Sequence, residues 1–308
     1  MAHPGVNIYS GSCDPLGAAL TFPTELSFKK GKIFQHYPIT DKRGTLYRDA
    51  EGAYQTLKKR YPQGSPKRLE LYIRIATAKF KQHPQLAEAI AKRGGIPWLQ
   101  ECRHQTGALT KRFQWWEGEG INSPMIRCLI EAYRRYRCSV LAQREPAPNP
   151  IVELEEGDVF VFGSNGKGIH GAGAALQAFG QEYHVELVNR QQPWQPGEEV
   201  IGKWAIYGRP RGYQQGHAGA SYAIETKTDW RRKQSTSLSV IRVQIEELVT
   251  WANQHLDRRL LCTAIGCGKA GYSTEAIASL WLELEPEIPS NILLAPCWRD
   301  YFKQQGSV

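Results

Sequence analysis

The sequence predicts two domains of different fold class, a mainly α-helical first domain and an α/β second domain. Apolar residues recur at helical spacing in much of the first half, whereas beyond position 150 strand-like apolar runs alternate with helix-like segments. A segment with three prolines, 143–150, cannot extend a helix and lies between the two patterns. We therefore expect domains at 1–145 and 150–308, the second built on an α/β sheet.

In the first half, residues 7–21 predict loops and short strands because they lack clean periodicity. The helical pattern begins after Asp49, where apolar residues are spaced three and four apart. The predicted helices run from Asp49, over 67–82, over 85–92 and from about Pro124 to Tyr136 or beyond.

In the second half, the predicted strands are short apolar runs and the predicted helices are amphipathic. The strands are expected at 159–163, 220–225, 259–265 and 291–295. The helices are expected at 172–180, at 238–256 and from Ser273.

The composition is typical of a globular protein. The 308 residues are 41% hydrophobic and 22% charged, and no apolar stretch approaches the roughly 18 residues of a membrane span. No basic region followed by an apolar core opens the sequence, so we expect a cytoplasmic protein. Seven cysteines without a Cys-x-x-Cys pair argue against a disulfide framework and a structural zinc site, and we expect no metal and no cofactor.

The formal charge of +9 favours an anionic partner, and nucleic acid is one such partner. A solvated basic surface is the alternative. Basic clusters occur in both halves, at 29–32, 58–60, 134–137 and 231–233.

Two glycine-rich loops follow predicted strands of the second half. Residues 163–173 follow the apolar run 159–162, and residues 264–272 follow the run 260–263. Glycine lets the backbone turn sharply and present N–H groups at the start of a helix, where an anion is favoured. Two such loops predict one cleft for a phosphate or diphosphate, although each loop is also compatible with a tight turn that binds nothing.

The residues of these loops resemble the ADP-ribose-binding loops of macrodomains. Asn165 precedes a Gly-x-His-Gly-x-Gly-Ala-Ala run, and the second loop reads Ile-Gly-x-Gly-x-x-Gly. The likeness covers roughly 151–308 and implies a macrodomain-like three-layer sheet; in its first loop it is nearer to small phage and bacterial macro-like proteins. The ligand-binding residues that it implies are Asn165, Gly168, His170, Gly171, Gly173, Gly266, Cys267, Gly268, Lys269, Gly271 and Tyr272.

The resemblance implies that Asn165 contacts the distal ribose and that the loop amides hold the diphosphate. Three roles are open for His170: a general base, a ligand contact, or a hydrogen-bonded structural residue. Lys269 is either a contact to sugar or phosphate or an exposed charge.

Three motifs of the first half, in this order, resemble the NADAR family. They are Glu51-Gly-Ala-Tyr54-Gln55-x-x-Lys58, the run Lys79-Phe80-x-x-His83-Pro84-x-Leu86, and Trp116-Glu117-Gly-Glu-Gly, with Glu101 as the acid that precedes the last of them. The likeness spans roughly 7–136. It departs from better-known members at Glu117, which stands between tryptophan and glycine, and in the long loop before Trp116.

The chemistry of N-glycosidic cleavage fits the first of these motifs. A carboxylate can stabilise an oxocarbenium-like sugar or position water, and a donor can assist the departing base. Glu51, Gln55 and Lys58 share one helix face at spacings of four and three. The alternative is a solvated Glu–Lys face, and for Trp115 and Trp116 the alternatives are base stacking and core packing.

The resemblance implies that Glu51, Glu101, Glu117 and Lys58 are catalytic and that Tyr54, Gln55, Trp116 and Asn122 bind ligand. We expect a hydrolase that removes ADP-ribose from modified guanine in nucleic acid, with a macro-like domain that binds ADP-ribose, acting as antitoxin to an ADP-ribosyltransferase toxin. Two alternatives stay open. One is an N-glycosidase acting on phosphoribosylamino intermediates of riboflavin biosynthesis, and the other is a non-catalytic ADP-ribose or NAD sensor.

Overall fold

The structure, a computed structural model, describes residues 3–62 and 65–306. The ends of the two predicted domains, 1–2 and 307–308, lie outside the described residues. The chain divides into two compact units, the first extending to Arg137 and the second comprising Cys138–Gln305. Each unit is described by itself.

The first unit is mainly helical. Its helices are α1 (Pro15–Leu20), α2 (Thr24–Lys29), α3 (Ala50–Leu57), α4 (Pro66–Gln82), α5 (Pro84–Lys92), α6 (Gly95–Glu101), α7 (Lys111–Gln114) and α8 (Pro124–Leu141), the last of which ends in residues of the second unit. Its strands form two antiparallel pairs, β1 (Ile39–Thr40) with β2 (Leu46–Tyr47) and β3 (Arg103–His104) with β4 (Gly118–Glu119). Single 3₁₀ turns occupy Lys58–Arg60 and Gly120–Asn122.

The predicted helices of the first unit are confirmed, because α3, α4, α5 and α8 begin within a residue or two of the predicted positions. The sequence prediction missed α1, α2, α6 and α7, which are too short for periodicity to emerge. Local capping chemistry accounts for two starts: the Asp14 carboxylate accepts from the Gly17 amide ahead of α1, and the Asp49 carboxylate accepts from the Gly52 amide ahead of α3.

Asp49 also fixes the packing of two helices. Its second carboxylate oxygen accepts from the Glu25 amide in the first turn of α2, at 3.0 Å. This buried side chain therefore joins the starts of α2 and α3. With that junction set, α3 turns Ala53 and Tyr54 into the apolar core of the unit.

The second unit is built on a five-stranded mixed sheet with strand order β11-β10-β5-β9-β8. Its strands are β5 (Asp158–Asn165), β6 (Val200–Ile201), β7 (Ile206–Tyr207), β8 (Gly212–Gly216), β9 (Gly219–Lys227), β10 (Arg259–Cys262) and β11 (Ile292–Leu293), with β6 and β7 forming a separate pair. Its helices are α9 (Gly173–Phe179), α10 (Gln181–Asn189), α11 (Leu238–Gln254), α12 (Thr274–Leu284) and α13 (Pro296–Gly306), with a 3₁₀ turn at Glu285–Glu287. The mixed α/β class predicted for the chain is confirmed.

The central strand β5 is buried on both sides. Val159 and Val161 belong to one apolar cluster with α11 and α12, whereas Phe160 and Phe162 belong to another with α9 and Trp204. Helical or loop material thus covers both faces of the sheet, as the unbroken apolar run of this strand predicts. α10 and α13 were missed by the sequence prediction.

The order of connections makes β5 a switch point of the sheet. From β5 the chain goes to β8 and β9 on one side and then returns to β10 and β11 on the other. β5, β9, β10 and β11 are parallel. In open α/β sheets, ligands bind outside the carboxyl ends of the strands at such a point.

Candidate functional site

A cavity of about 830 Å³ in the first unit contains five of the predicted site residues. These are Glu51, Tyr54, Gln55, Lys58 and Trp116. Its volume lies in the range of sites for nucleotide-sized ligands. The cavity therefore unites the residues of the α3 motif with the tryptophan of the last motif.

The predicted face of α3 points into this cavity. The Gln55 amide donates to the Glu51 carboxylate one helical turn earlier, and the Lys58 ammonium lies 5.3 Å from the centroid of the Tyr54 ring. Of the lining residues that the structure describes, Glu51 alone carries a carboxylate. It is half-buried in the first turn of α3, where the helix dipole favours its negative charge.

Packed aromatic rings form one wall of the cavity. Phe22 and Tyr72 stack with ring centroids 3.7 Å apart, Tyr54 meets Tyr72 edge-on at 5.6 Å, and Trp116 lies 4.9 Å from Tyr72. Burial raises the pKa of Tyr54, and raises that of Tyr72 well above its usual value, so both phenols stay neutral. Such a wall offers a planar ligand a stacking surface.

The two adjacent tryptophans have different surroundings. Trp116 is half-buried against the apolar core, whereas Trp115 meets it edge-on at 4.9 Å and is 49% exposed. Both line the cavity. Trp116 therefore combines core packing with a surface toward the cavity, and Trp115 is the more accessible ring.

Three lining residues with basic side chains were missed by the sequence prediction: Arg68, His104 and Lys111. Arg68 interacts with the Tyr54 hydroxyl, while its own Nε is buried without a hydrogen-bond partner among the described atoms. A buried guanidinium N–H without a partner is costly unless a ligand supplies an acceptor. The three side chains come from separate elements, and no sequence spacing links them to α3.

His104 has a defined tautomer. Its Nδ1 lies 2.6 Å from the Ile8 carbonyl oxygen, which can only accept, so Nδ1 carries the proton and the neutral ring keeps its lone pair on Nε2. Burial lowers the pKa of His104. The ring is therefore neutral at pH 7 and can accept a proton through Nε2.

Glu117 folds back onto the cavity wall rather than lining the cavity. Its Oε1 accepts from the Thr106 amide at 2.7 Å, the Thr106 hydroxyl at 2.6 Å and the Ala108 amide at 3.2 Å. The hydroxyl and amide of Thr106, followed by the Ala108 amide, hold the pKa of Glu117 below its usual value. Because Thr106 and Ala108 line the cavity, Glu117 shapes the site through them.

Glu101 and Asn122 are two predicted site residues of this unit that do not reach the cavity lining. Glu101 is the exposed last residue of α6, and Asn122 is exposed in the 3₁₀ turn that follows β4. Neither is among the cavity-lining residues. Their assignment as catalytic and ligand-binding residues stays a prediction.

Lys79, from the second motif, does not line the cavity but binds backbone carbonyls next to its wall. Its ammonium is buried and donates to the carbonyls of Ala19 at 2.5 Å and Thr21 at 2.7 Å, at the end of α1. Burial lowers the pKa of Lys79 to about 7. Because Thr21 and the neighbouring Phe22 line the cavity, Lys79 holds this part of the wall in place.

In the second unit, both predicted glycine loops leave the sheet at the switch point. The first follows β5 and the second follows β10, and these neighbouring strands are parallel, so both loops emerge at the same edge. The Thr263 amide donates to the Val161 carbonyl at 3.0 Å, and a Cβ on Gly163 would lie 3.6 Å from the Gly266 nitrogen. The two loops are thus adjacent.

The first loop is held by its own side chains. Asn165 donates to the Ile169 carbonyl at 2.6 Å and accepts from the amides of Lys167 and Ile169, both at 3.2 Å. Gly168 has φ +65°, and a Cβ there would lie 2.4 Å from the Gly208 carbonyl carbon. Only glycine fits at this position.

His170 is fully buried. Its Nε2 lies 3.0 Å from the Ile206 carbonyl oxygen, and its ring packs against Phe162 and Tyr207. Burial lowers the pKa of His170 to about 4, so the ring is neutral at pH 7. The structure places His170 in the core, which matches the structural alternative considered for it, and a ligand contact stays a prediction.

In the second loop, Gly268 faces open space while its neighbours are constrained. Gly266 has φ +75° and a Cβ there would crowd Ile277, whereas a Cβ on Gly268 would meet no atom within 4 Å. Lys269 is exposed, and Cys267 is half-buried with its pKa raised by burial. Gly268 and Lys269 are therefore accessible to a ligand.

The remaining predicted residues of the two loops differ in their surroundings. Gly171 would bring a Cβ to 3.1 Å from His184 Nε2, Gly173 at φ +59° has open space, and Gly271 at φ +79° would crowd the Lys233 side chain. Tyr272 is buried, and its hydroxyl donates to the Thr236 carbonyl. Tyr272 thus anchors a neighbouring loop.

That neighbouring loop, residues 228–236, borders the second glycine loop. Gln234 donates from its amide to the Ala270 carbonyl at 2.8 Å and from its side chain to the Gly271 carbonyl at 2.7 Å. Trp230 is 48% exposed, with the Arg231 guanidinium 5.1 Å from its ring centroid. The loop therefore brings an exposed aromatic ring and basic residues to the rim of the predicted cleft.

Comparisons of the chain with protein-family models, with curated proteins and with solved structures gave no match.

No group of three or more His, Cys, Asp or Glu side chains within 3–62 and 65–306 is arranged to hold a metal ion. In the same part of the chain, no helix has both the length and the apolar character needed to cross a bilayer.

Proposed function

We propose that the first unit hydrolyses the N-glycosidic bond between ADP-ribose and a guanine base of nucleic acid, and that the second unit binds ADP-ribose. In a cell, such a protein would reverse the action of an ADP-ribosyltransferase toxin. One observation carries the proposal: the first unit combines a carboxylate, an aromatic wall and three cations in a single cavity. Each of these three features answers one chemical need of the reaction.

The aromatic wall fits the base. Guanine is planar, and the stacked rings of Phe22, Tyr72 and Trp116 give a planar ligand a surface of matching shape. Base–aromatic stacking contributes about 1–3 kcal/mol per base. The neutral phenols of Tyr54 and Tyr72 add hydrogen-bonding capacity without introducing charge.

The cations fit the diphosphate. Lys58, Arg68 and Lys111 line the cavity, against the single carboxylate of Glu51. The buried Arg68 Nε still lacks an acceptor, and a phosphate oxygen would supply one. A strongly anionic ligand such as ADP-ribose is thus favoured over a neutral nucleoside.

The carboxylate and the histidine fit the chemistry. As the bond between the anomeric carbon and the base nitrogen breaks, the electron pair leaves with the base and positive charge develops on the sugar, where Glu51 stabilises it. Water then adds to the anomeric carbon and loses a proton, which the lone pair of His104 Nε2 accepts and passes to the nitrogen of the departed base, so that the ring returns to its neutral form. With one carboxylate in the described lining, these duties fall on different residue types rather than on an acid pair.

For the second unit, the proposal draws on the two adjacent glycine loops at the switch point. Open space beside Gly268 and the exposed ammonium of Lys269 favour binding of an anion there. The Asn165 side chain makes three hydrogen bonds within its own loop, so we assign it first to shaping the loop. Its second side-chain N–H can donate to a ribose hydroxyl.

The test compares substrates with the full chain. The protein is incubated with an oligonucleotide bearing ADP-ribosylated guanine, with the phosphoribosylamino intermediate of riboflavin biosynthesis, and with free ADP-ribose, and the products are identified by mass spectrometry. We expect release of ADP-ribose and recovery of unmodified guanine from the first substrate. Cleavage of the riboflavin intermediate instead would select the alternative enzyme, and binding of ADP-ribose without cleavage of any substrate would select the sensor.

A further inference from the structure

A second cavity of the first unit, of about 470 Å³, is strongly basic. It is bordered by the β1–β2 turn, by α3 and by α4. The cationic residues that line it are Lys42, Arg43, Arg60, Arg74 and Lys81. We call this the basic cavity.

We call the cavity of about 830 Å³ that contains Glu51 the active-site cavity. The basic cavity lies on the opposite side of α3 from it. Ala53, Thr56 and Leu57 line the basic cavity, whereas Glu51 and Tyr54 line the active-site cavity. At about 100° per residue these two sets lie on opposite sides of the helix. A helix is about 10 Å across, which equals the rise of about three nucleotides along one strand of B-form DNA.

Four of the five cations of the basic cavity have no carboxylate partner among the described residues. Among its described lining residues the one carboxylate is Asp41, whose oxygens accept from the amides of Arg43 and Thr45 and from the Tyr47 hydroxyl. Within residues 3–62 and 65–306, Arg43, Arg60, Arg74 and Lys81 make no ion pair.

Two other arginines of the same unit, by comparison, have carboxylate partners. Arg93 lies 2.8 Å from Asp14, and Arg135 lies 2.6 Å from Glu70. In the basic cavity, by contrast, partial burial and then the charge of Lys42 lower the pKa of Lys81. A bound anion would reduce the mutual repulsion of these cations, which outnumber the single described carboxylate of the cavity lining.

The walls of the basic cavity are held in place by hydrogen bonds. The Thr40 amide donates to the Gln82 side-chain oxygen and the Gln82 amide donates to the Thr40 carbonyl, both at 2.8 Å, which ties β1 to α4. The turn itself is closed by the Asp41 amide donating to the Thr45 carbonyl at 3.0 Å. The cations of the turn therefore stand on a fixed backbone.

The kind of anion follows from how these groups are spread. The five cations come from three separate elements, the turn, the 3₁₀ segment after α3 and α4, and are thus distributed around the cavity lining. Tyr47 and Tyr61, both half-buried, also line this cavity. A basic groove with aromatic rings is the arrangement that binds single-stranded nucleic acid through its backbone and its stacked bases.

We propose that the basic cavity binds the sugar–phosphate backbone of single-stranded nucleic acid flanking the base that enters the active-site cavity. The inference rests on the proposed function and narrows its substrate to a polynucleotide rather than a free nucleotide.

The test measures binding of a fluorescent, unmodified single-stranded oligonucleotide to the full chain by anisotropy. The variant carries Arg60→Gln and Arg74→Gln, which remove two exposed, unpaired cations and no core packing. The matched control carries Arg103→Gln and Arg127→Gln, two exposed arginines of the same unit that line neither cavity.

The expected size follows from counterion release. Each phosphate contact to a single strand contributes a slope of about 0.7 in log K against log salt, so at about 0.1 M salt each contact is worth about 5-fold. Loss of two contacts should weaken binding about 25-fold and reduce the slope by about 1.4. The control pair should leave both quantities near those of the wild type.

Three results would overturn the inference. Equal losses in the variant and the control would make the cavity part of a general basic surface. Unchanged oligonucleotide binding in the variant would also refute it. Inorganic pyrophosphate that binds the wild type and not the variant, while oligonucleotide binding is unaffected, would assign the cavity to small polyphosphates.

A second readout separates this inference from the proposed function. If both hold, the variant should hydrolyse an ADP-ribosylated guanine mononucleotide with unchanged kcat/KM, because Arg60 and Arg74 do not line the active-site cavity. Absence of hydrolysis by the wild-type protein would refute the proposed function alone, since binding of the unmodified oligonucleotide requires no catalysis.

Discussion

Glu51→Gln is the substitution that isolates the proposed chemistry from the fold. The change keeps the volume of the side chain and an oxygen that can accept from Gln55, and it removes only the negative charge. Loss of one electrostatic contact to a transition state typically lowers kcat by about 100- to 1000-fold, or about 2.7–4 kcal/mol. We expect that loss in the release of ADP-ribose from modified guanine, followed by mass spectrometry.

The cost to stability should be much smaller. Glu51 lies in the first turn of α3, where a carboxylate contributes about 0.3–1 kcal/mol through the helix dipole. A loss of that size lowers the melting temperature by only a few degrees. Thermal unfolding and calorimetric binding of ADP-ribose should therefore show a folded protein that still binds ligand.

Two matched substitutions complete the experiment. Glu101→Gln changes an exposed carboxylate that does not line the cavity, and Glu117→Gln keeps the oxygen that accepts from Thr106 and Ala108. Both should retain kcat within about 10-fold of wild type, well short of the 100-fold expected for Glu51→Gln. A near-wild-type rate for Glu51→Gln, or an equal loss in all three variants, would refute the assignment of Glu51.

Three further predictions concern the second unit and the substrate. Gly268→Glu should weaken ADP-ribose binding without lowering stability, because no atom lies near the Cβ position of residue 268. Gly168→Ala should instead lower the melting temperature, because the added Cβ would clash with Gly208. Unchanged calorimetric affinity of Gly268→Glu for ADP-ribose would contradict the two-loop cleft. Because burial lowers the pKa of His170 from 6.5 to about 4, the unfolded chain binds this proton first, so stability should be greatest above pH 6.5 and fall by about 3 kcal/mol toward pH 4. Urea unfolding across that range should show the fall in the wild type, and a folded His170→Gln variant with the same pH slope would refute its origin. Turnover of a modified oligonucleotide should decline more steeply with salt than turnover of a modified mononucleotide, and equal declines would argue against backbone contacts.

Helical periodicity explains why part of the lining of the candidate active-site cavity could be predicted from sequence. Glu51, Tyr54, Gln55 and Lys58 share a face because 3.6 residues make a turn, whatever the rest of the chain does. Spacing of that kind is encoded locally. The shared face of these four residues was therefore predictable, whereas the cavity that this face lines was not.

The rest of that cavity depends on contacts distant in sequence. Phe22, Tyr72 and His104 reach it from three separate elements, and no periodicity connects them. Glu117 was predicted to be catalytic from its motif, but its carboxylate accepts hydrogen bonds from amides of the long loop before Trp116, which the motif does not predict. A motif gives the residue type, and the packing decides where its side chain points.

The second unit repeats this division. Alternating strands and helices, which the sequence displays, favour parallel strands whose following loops emerge at one edge of the sheet, whereas the strand order that makes β5 a switch point was not predicted. The burial of His170 does not follow from the pattern either, because it requires Phe162 and Tyr207 to close around a ring that the loop pattern alone leaves in the open.

The proline-rich segment 143–150 has a consequence for anyone who wishes to express the second half of the protein separately. Arg144 donates to the carbonyls of Ile288 and Pro289, and the Ala147 amide donates to the Leu294 carbonyl, so these residues are attached to the second unit rather than suspended as a spacer. Upstream of them, Leu141 is 1% exposed in the core of the same unit.

Removing a buried leucine typically costs about 2–5 kcal/mol, against total stabilities of about 5–15 kcal/mol. A gene fragment that opens at Pro150 would forfeit this contribution together with the hydrogen bonds of Arg144. One that opens at Cys138 would retain both. The boundary between the two units thus lies within the last turn of α8 and not at the prolines.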